Sequence, residues 1–533
     1  MTAIIIKQFG GVSPRTPARF LQDTQAQQAL NCPAWLGSLQ GLPGTTKLRD
    51  MSKTNVKTVY RFGQDSSSES DYWFEFTADT DVVRGPIAGD VEERTFWSDG
   101  VKPKKTNNVL ALTGGAAYPI NAYDLGVPRP VAPAACVVTG SGDGIPEDRV
   151  YTYTNVTAWG EESQPADASN TVTVSVGQTV NLSGLSQPVA GNHNIATKRI
   201  YRSVTGSGSS AEYLFVAEIP AAQTTYSDTV LSEVLGEVLP SMSWATPPDA
   251  LKGLVTFPGG LMAGFVGRDV YFCEPYRPFA WPAEYINTVD YPVVGLGVMD
   301  TTLAVLTTGV PYFIQGTDPS GMAVVKSDIH QACVSKRSIV ALNGAVIYAS
   351  PDGLVRLSSG GSGLITEQMF SRDQWQGINP ATIHAYHWES KYVAFYDGGG
   401  FVFDPRDNTF IWHDITATAG YNDLQRDQLY LVIANEMHKW YAGTPKSYAW
   451  RSKKWTLPQP MSFGCAQVEA EAYPLTFKFY ADGVLKHTQT VTSRSVFRLP
   501  AGFQARDIEF EITGTPEVFM AGIAQSPKEL AGA

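Results

Sequence analysis

The sequence is poor in cysteine, and the cysteines that it has form no recognisable module. Five occur in 533 residues, an odd number, and no Cys-x-x-Cys pair is among them. Zinc modules need closely spaced thiolates, and small secreted scaffolds need a dense, even set of cysteines, so both classes are excluded. We expect small buried thiols in a protein made in a reducing cytoplasm. The cysteines are Cys32, Cys136, Cys273, Cys333 and Cys465.

Long apolar runs are also missing. The amino-terminal stretch MTAIIIKQFGG has an apolar core of three isoleucines, which is too short for a signal peptide. No run approaches the roughly 18 residues that a membrane-spanning helix needs. We therefore expect a soluble protein that does not insert into a membrane and has no obvious export signal.

Positive charge is in deficit. The formal net charge is -11 and the isoelectric point is about 5.2. Tight DNA binding draws its free energy from lysine and arginine side chains that displace counterions from phosphates. The charge balance therefore argues against a DNA-binding protein.

Glycine, proline and aromatic residues are abundant. The chain contains 49 Gly, 34 Pro, 24 Tyr, 24 Phe and 12 Trp, and 43% of its residues are hydrophobic. This composition is typical of many turns that join short, aromatic-rich strands. The length suggests roughly two to four domains.

A hairpin pattern repeats in the second half of the chain. Four segments each contain an apolar strand, a tight turn with glycine and a second strand, and DQLYLVIANEMHKWYAG looks like a fifth, with Asn435 near its turn. The turn glycines are Gly267, Gly309, Gly353 and Gly399, so their spacings are 42, 44 and 46 residues. A period of about 40–50 residues indicates the four-stranded blade of a β-propeller. We predict an all-β fold with roughly six to eight blades, and a generic antiparallel sandwich is the alternative.

Two proline-rich stretches, GVPRPVAPAAC and SWATPPDALKG, divide the chain. We predict an N-terminal strand segment with the first blades in residues 1–127 and an inserted sandwich in residues 128–248. The remaining blades are expected in residues 249–458, and a C-terminal β unit is expected in residues 459–533.

The inserted segment has about six alternating strands in roughly 110 residues, a pattern typical of an immunoglobulin-like or fibronectin type III sandwich. Its expected core consists of Tyr151, Tyr153, Val156, Trp159, Ile200, Leu214 and Val216.

Histidine pairs are the first candidates for chemistry. His384 and His387 form His-x-x-His, but on a strand they point to opposite faces. His413 and Asp414 are adjacent on another predicted strand, so their side chains diverge, and no nucleophile motif accompanies them. Neither pair predicts a metal or catalytic site.

Acidic loops are the second candidates. TGSGDGIPED lacks the Lys-Ser/Thr of a phosphate-binding loop and is predicted to be a flexible loop. Its carboxylates Asp143, Glu147 and Asp148 lack the spacing of a calcium loop. Glu161 and Glu162 are expected to be solvated loop charges.

The tetrad Ser350-Pro351-Asp352-Gly353 favours a type I turn, which makes Asp352 a turn residue. The sialidase Asp box, roughly Ser-x-Asp-x-Gly-x-Thr-Trp, is not matched, because Gly353 follows Asp352 directly and no Thr-Trp closes the pattern. No catalytic, cofactor-binding or metal site is predicted. A carboxylate pair assembled from distant blades leaves no local signature, so that alternative stays open.

The first 45 residues contain a predicted strand followed by Gly-Gly-φ-Ser-Pro, an Ala-x-Asn-Cys segment, Gly-x-Leu and a final Pro-x-Gly. In this pattern they resemble the opening of the tail nozzle proteins of short-tailed bacteriophages, also called tail tubular protein B or tail hub. RIYRSVTGSGSSAEYLFVAEIP and the C-terminal FRLPAGFQARDIEFEITGTPEVFMAGIAQSPKEL are also similar to the family. The matching residues are Gly10, Gly11, Val12, Ser13, Pro14, Ala29, Asn31, Cys32, Gly37, Leu39, Pro43 and Gly44.

The resemblance implies a structural, non-enzymatic protein of the virion tail that is synthesised in the cytoplasm of the host bacterium. It implies a homo-oligomer, a hexamer, that forms a tube below the portal and adaptor (the head-tail connector) and gates DNA during ejection. Tail fibres or spikes are further expected partners, and double-stranded DNA passes without sequence-specific binding. No cofactor is expected. An acidic lumen would let DNA slide, since each lumenal cation adds affinity for phosphate.

Two other functions stay open. A propeller can be a carbohydrate-binding or glycan-degrading receptor-binding protein, whose site would place aromatic platforms beside paired carboxylates. The same modules also occur in long-tailed-phage and bacterial surface proteins.

Overall fold

The computed structural model describes residues 3–63, 68–189, 191–203 and 212–530. Strands dominate, and the α-helices are single short turns. The α-helices are α1 (Asn108–Leu112), α2 (Arg372–Gln376) and α3 (Pro527–Leu530). The 3₁₀ turns are Ala34–Leu36, Ser232–Val234, Ala283–Tyr285, Pro319–Gly321, Lys336–Ser338 and Pro380–Thr382.

The N-terminal part supplies two sheets and three separate strands. The sheets are the hairpin β4–β5 and the four-stranded meander β6–β9, whereas β1, β2 and β3 pair with strands near the other end of the chain. The strands are β1 (Ala3–Ile6), β2 (Ala26–Leu30), β3 (Thr46–Asp50), β4 (Thr58–Arg61), β5 (Trp73–Phe76), β6 (Asp81–Arg84), β7 (Thr95–Ser98), β8 (Lys104–Thr106) and β9 (Tyr123–Asp124).

The next part is a small β-sandwich. Its sheets have the strand orders β10-β14-β17, β11-β13 and β12-β15-β16. Tyr151, Tyr153 and Ile200 are fully buried in its core, as predicted. The strands are β10 (Ala135–Thr139), β11 (Asp143–Arg149), β12 (Tyr151–Thr157), β13 (Val172–Val176), β14 (Thr179–Ser183), β15 (Ile195–Ser203), β16 (Tyr213–Pro220) and β17 (Tyr226–Asp228).

Four consecutive meanders follow, and β34–β36 form most of another blade. The four meanders are β18–β21, β22–β25, β26–β29 and β30–β33. The strands are β18 (Lys252–Phe257), β19 (Leu261–Val266), β20 (Asp269–Phe272), β21 (Asn287–Thr288), β22 (Val293–Met299), β23 (Thr302–Thr307), β24 (Tyr312–Gln315), β25 (Ala323–Lys326), β26 (Val340–Leu342), β27 (Ala345–Ala349), β28 (Leu354–Ser358), β29 (Gly363–Leu364), β30 (His384–Trp388), β31 (Lys391–Tyr396), β32 (Gly399–Asp404), β33 (Thr409–His413), β34 (Ala419–Asp423), β35 (Gln428–Ile433) and β36 (Glu436–Lys439).

These sheets close into a β-propeller. The first strand of each sheet lies innermost, and contacts follow the ring order β6, β18, β22, β26, β30, β34 and β4. The ring closes where Phe74 of β5 meets Trp97 of β7, with ring centroids 6.3 Å apart. Within the described residues the propeller therefore has seven blades, one of them a two-stranded hairpin. This number lies within the predicted range.

The middle strands of the blades are buried because each blade packs between two others. All five residues of β27 are buried, as are the first five of β19 and β31. The continuous apolar runs that predicted such strands are explained by this burial on both faces.

Strands from the amino-terminal 50 residues pair with strands near the carboxyl-terminal end of the chain. β3 adds the fourth strand to the β34–β36 blade, in the order β3-β36-β35-β34, and β1 pairs with β44. β2 lies between β33 of the propeller and β37 of the C-terminal unit. The last strands are β37 (Tyr448–Ser452), β38 (Trp455–Met461), β39 (Cys465–Ala470), β40 (Leu475–Ala481), β41 (Val484–Val491), β42 (Phe497–Arg498), β43 (Ala505–Gly514) and β44 (Val518–Ala524).

The predicted local structure is confirmed at the hairpins. The five expected turns of the second half join β19–β20, β23–β24, β27–β28, β31–β32 and β35–β36, and Asn435 has a φ of 64°. The hairpin around Asp482-Gly483 and a final helical turn, α3, are also present. All five cysteines are buried.

The predicted flexible loop at residues 139–148 is wrong. Asp143–Arg149 form β11, which pairs with β13, with an irregular register between Asp143 and Glu147. The glycine and proline in this segment hid the strand. Pro146 is tolerated because β11 is an edge strand of a two-stranded sheet and needs fewer ladder hydrogen bonds.

Candidate functional site

Two cations, Lys336 and Arg337, reach across the axis of the propeller. They lie in the 3₁₀ turn Lys336–Ser338, immediately before β26. The Arg337 guanidinium donates to the carbonyl oxygens of Lys57 and Thr418, at 3.0 and 2.6 Å. These carbonyls precede β4 and β34, so Arg337 joins its own blade to one three places away in the ring.

Lys336 reaches in the other direction around the ring. Its Nζ lies 2.7 Å from the Asp81 carboxylate and 3.2 Å from that of Asp79. The other oxygen of Asp81 accepts the backbone N–H of Gly253 at 2.6 Å. Because Asp81 begins β6, three blades from β26, this ion pair also spans the ring.

Lys336 and Asp81 form the axial pair. Burial and their mutual attraction both shift the pKa values of the two side chains. Burial disfavours the Lys336 ammonium, but Asp81 and Asp79 outweigh this effect and raise its pKa. Burial raises the pKa of Asp81, although Lys336 opposes the shift. Lys336 is therefore a cation at neutral pH. With Arg337 it connects blades on opposite sides of the axis, which no local sequence signal indicates.

The sandwich is attached to the propeller around Trp159. Lys105 Nζ lies 5.5 Å from the centre of the Trp159 ring, and the Arg94 guanidinium lies 5.8 Å from it. Tyr123 of β9 meets the ring edge-on at 5.4 Å. Trp159 thus belongs to this junction and not to the predicted sandwich core.

The expectation that Glu161 and Glu162 are solvated is wrong, because both side chains are buried. Glu161 accepts a hydrogen bond from the fully buried ammonium of Lys105. Glu162 accepts from Tyr201 at 2.7 Å and pairs with Arg199 at 3.1 Å. Their partners lie on β8 and β15, far away in sequence, so the local pattern could not predict the burial.

A cleft of about 170 Å³ lies beside this junction. Trp159, Tyr276 and Phe279 line it together with the carboxylates of Asp90 and Glu161. This is the combination of groups expected of a glycan site, but both carboxylates are already engaged. Asp90 accepts backbone N–H groups at 3.2 Å, and Glu161 accepts from Lys105. The cleft is also smaller than the roughly 300 Å³ at which ligand pockets begin.

The histidines do not converge on a site. His384 Nε2 lies 2.9 Å from the Ala417 carbonyl, whereas His387 Nε2 accepts the N–H of Ser390. Burial, with Arg337 adding to it, lowers the pKa of His384 to about 3, and burial lowers that of His413 to about 4. No group of three His, Cys, Asp or Glu side chains suited to a metal ion occurs among the described residues.

The tetrad at residues 350–353 is a bend between β27 and β28. The N–H and the hydroxyl of Ser350 both donate to the Gly353 carbonyl, at 2.8 and 2.9 Å. Asp352 does more than form the turn, because it accepts from Gln331 at 2.7 Å and pairs with Arg372 at 2.8 Å. It joins two loops of the propeller.

The amino-terminal strap, residues 3–50, runs from the C-terminal unit across the propeller. Its Gly-Gly pair is needed for close backbone contact. A Cβ at Gly10 would lie 2.7 Å from the Thr24 carbonyl oxygen, and one at Gly11 would overlap that of Phe410. The N–H of Val12 then donates to the same Phe410 oxygen at 2.9 Å.

Asn31 fixes the middle of the strap. It has a φ of 53°, and its N–H donates to the Trp412 carbonyl at 2.8 Å. Its side chain donates to the Ser447 carbonyl and accepts the N–H of Asp414, both at 3.2 Å. Asn31 therefore links β33 of the propeller to the C-terminal unit. The strap residues that carry the family resemblance have structural roles in this chain.

Comparisons with known proteins leave the family open, since no family model and no curated protein matches the chain. BamB from Moraxella catarrhalis is 9% identical over 64% of this chain and 94% of that chain, with a TM-score of 0.25. The extracellular domain of a putative hybrid two-component system from B. thetaiotaomicron is 9% identical over 95% and 82%, with a TM-score of 0.27. A beta-propeller domain from Myceliophteria thermophila is 9% identical over 59% and 92%, with a TM-score of 0.19. Scores this low carry no argument, so the propeller is assigned from the arrangement of its own sheets.

No helix among the described residues is long and apolar enough to cross a membrane. Residues 204–211, which belong to one of the segments similar to the phage family, lie outside the described residues.

Proposed function

We propose that this chain is a structural virion protein, the subunit of a tail nozzle of a short-tailed bacteriophage. The observation that carries the proposal is the amino-terminal strap. The stretch most similar to the nozzle family supplies β1 and β2 to the C-terminal sheets, and the strap continues from it into β3, which completes the β34–β36 blade. A segment that locks the modules of one subunit together suits a rigid wall, since a tube under load must not lose its shape.

The contacts of Lys336 and Arg337 across the propeller axis restrict where DNA can run. Lys336 and Arg337 occupy one end of the axis and pair with groups on opposite blades. In a nozzle the DNA path therefore lies between copies of the chain and not through a propeller. Roughly six copies in a ring, joined head to tail by heterologous contacts, would enclose such a path.

The first test is assembly. The purified chain is mixed with the adaptor and portal of its own phage, and mass photometry and negative-stain microscopy are recorded. We expect rings of roughly six copies that form with the adaptor present. A monomer or trimer that shortens capsular polysaccharide would instead support the glycan-degrading receptor-binding alternative. Tail fibres or spikes from the same virion are then tested for attachment to the ring.

The second test concerns the charge of the DNA path. Successive turns of a meander lie at opposite ends of a blade. Asp300 and Asp427 lie in turns at one end of the propeller, whereas Asp328 and Asp397 lie in turns at the other. We expect Asp→Asn changes at the end that faces the lumen to slow genome ejection, because neutral walls repel phosphate less.

Ejection is followed by DNA-dye fluorescence after receptor addition. The pair of changes at the opposite end is the matched control and should leave the rate unchanged. Equal rates for both pairs and for the unmodified phage would exclude an electrostatic role of either end.

A further inference from the structure

A polar groove lies where the amino-terminal strap crosses the propeller. Its volume is about 570 Å³, within the range of roughly 300–1,000 Å³ found for small-molecule sites. Neither Lys336 nor Arg337 lines the groove, and none of the residues around Trp159 does. The groove is lined by residues of the strap, of the segment after β29 and of the turn before β33, among them Gln8, Gln22, Trp35, Gln368, Asp407 and Asn408.

Side-chain amides from four separate segments meet in this groove. Gln8 follows β1, Gln22 and Gln25 precede β2, Gln368 follows β29, and Asn408 lies in the turn before β33. Gln8, Gln22, Gln368 and Asn408 are exposed residues, and within the described part of the chain their amides make no internal hydrogen bond. Each offers two donors and one acceptor to a ligand.

The charge of the lining selects the class of ligand. Asp407 is the single ionisable residue among the lining residues that the structure describes, and no lysine, arginine or histidine is present. Phosphate and carboxylate ligands depend on cationic donors, so nucleic acids and acidic sugars are disfavoured. A neutral ligand with many hydroxyl groups matches mixed amide donors and acceptors.

Backbone hydrogen bonds hold the glycine pair that lines the groove. Gly10 N–H donates to the Thr24 carbonyl at 2.6 Å, and Val12 N–H donates to Phe410 at 2.9 Å. Half-buried Trp35 adds an aromatic wall, and the buried ammonium of Lys391 lies 5.0 Å from the centre of its ring. The strands beside the groove, β2 and β33, are both paired on two sides, so they have no free edge to which a peptide strand could add.

We propose that this groove is a binding site for neutral saccharides. The amides would bind vicinal hydroxyl groups, and Trp35 would contact the apolar face of a sugar ring. The inference goes beyond the nozzle function and does not depend on it, because the groove lies within one copy of the chain.

The test is native affinity electrophoresis of the full chain in gels that contain dextran, mannan or galactomannan, with polygalacturonate as an acidic comparison. We expect at least one neutral polysaccharide to retard the protein. The double change Gln368→Ala and Asn408→Ala should raise its dissociation constant about tenfold or more, as for the loss of one or two hydrogen bonds. Gln223→Ala, an exposed amide of the sandwich, is the control and should leave retardation unchanged.

Melting curves show whether the double variant is folded. If it is not, the near-isosteric pair Gln368→Glu and Asn408→Asp replaces it and should also weaken retardation. The proposal is overturned if no neutral polysaccharide retards the protein, if only polygalacturonate does, or if the groove variants bind as well as the original chain. Ring assembly with the adaptor, measured on the same variants, reports separately on the nozzle function.

Discussion

Gly353 shows how one residue constrains a blade. Its φ is 155°, and a Cβ at this position would overlap the hydroxyl oxygen of Thr366 and lie 3.1 Å from Leu364. We expect Gly353→Val to lower the free energy of unfolding by about 1–3 kcal/mol, because the valine brings both backbone strain and overlap. Urea denaturation followed by tryptophan fluorescence measures the change.

Two variants serve as controls for this prediction. Gly360→Val, in the open turn after β28, has no atom within 4 Å of its added Cβ and should stay close to the original stability. Asp352→Asn keeps the turn and the hydrogen bond to Gln331, so its fold and assembly should be retained. A loss of assembly with the fold intact would give Asp352 a role in function beyond the bend.

At the scale of elements, β1 shows the importance of the strap. Ile4 and Ile6 are buried against the C-terminal unit, whereas Ile5 is half-exposed. Deleting residues 1–7 removes about 1.5–3 kcal/mol of apolar burial for each buried isoleucine and uncovers the edge of β44. We expect a lower urea midpoint and aggregation, detected by light scattering.

A point variant on the same strand separates burial from edge pairing. Ile5→Ala keeps the strand and should cost less than Ile4→Ala, which falls in the usual range of about 2–5 kcal/mol. Equal costs for the two isoleucines would contradict the packing of β1.

At the scale of the whole molecule, the axial pair links blades that are far apart in the ring. Lys336→Met leaves Asp81 without its cation and should cost about 2–4 kcal/mol. This is slightly below the usual cost of breaking a buried pair, because the Lys336 and Asp81 side chains keep 22% and 17% of their surface exposed. The urea midpoint measures the loss.

The control for the axial pair is an exposed one. Lys326 and Asp290 lie 3.7 Å apart with 50% and 70% of their side-chain surface exposed, so Lys326→Met should cost less than about 1 kcal/mol. Adding Asp81→Asn to Lys336→Met should recover part of the loss, since it removes the uncompensated charge. Similar costs for both lysine variants would mean that the axis does not hold the ring together.

The sequence by itself determined the hairpins of the propeller, whereas it did not reveal β11. Short apolar runs and turn glycines specify hairpins such as β27–β28, and the regular spacing of the turns predicted the propeller before any pairing was known. The absence of clustered cysteines was sufficient to predict buried thiols. These features depend on residues close together in the chain, where steric limits on the backbone and the period of the strand act directly.

The tertiary structure alone decided which distant parts meet. β3 pairs with β36 across nearly 400 residues, Lys336 reaches Asp81, and Glu161 is buried by Lys105. The amides of the polar groove likewise come from four segments with no common motif. No local sequence pattern predicts these contacts. Which strand edges and charged side chains are left to pair is decided only when the blades have packed into a ring.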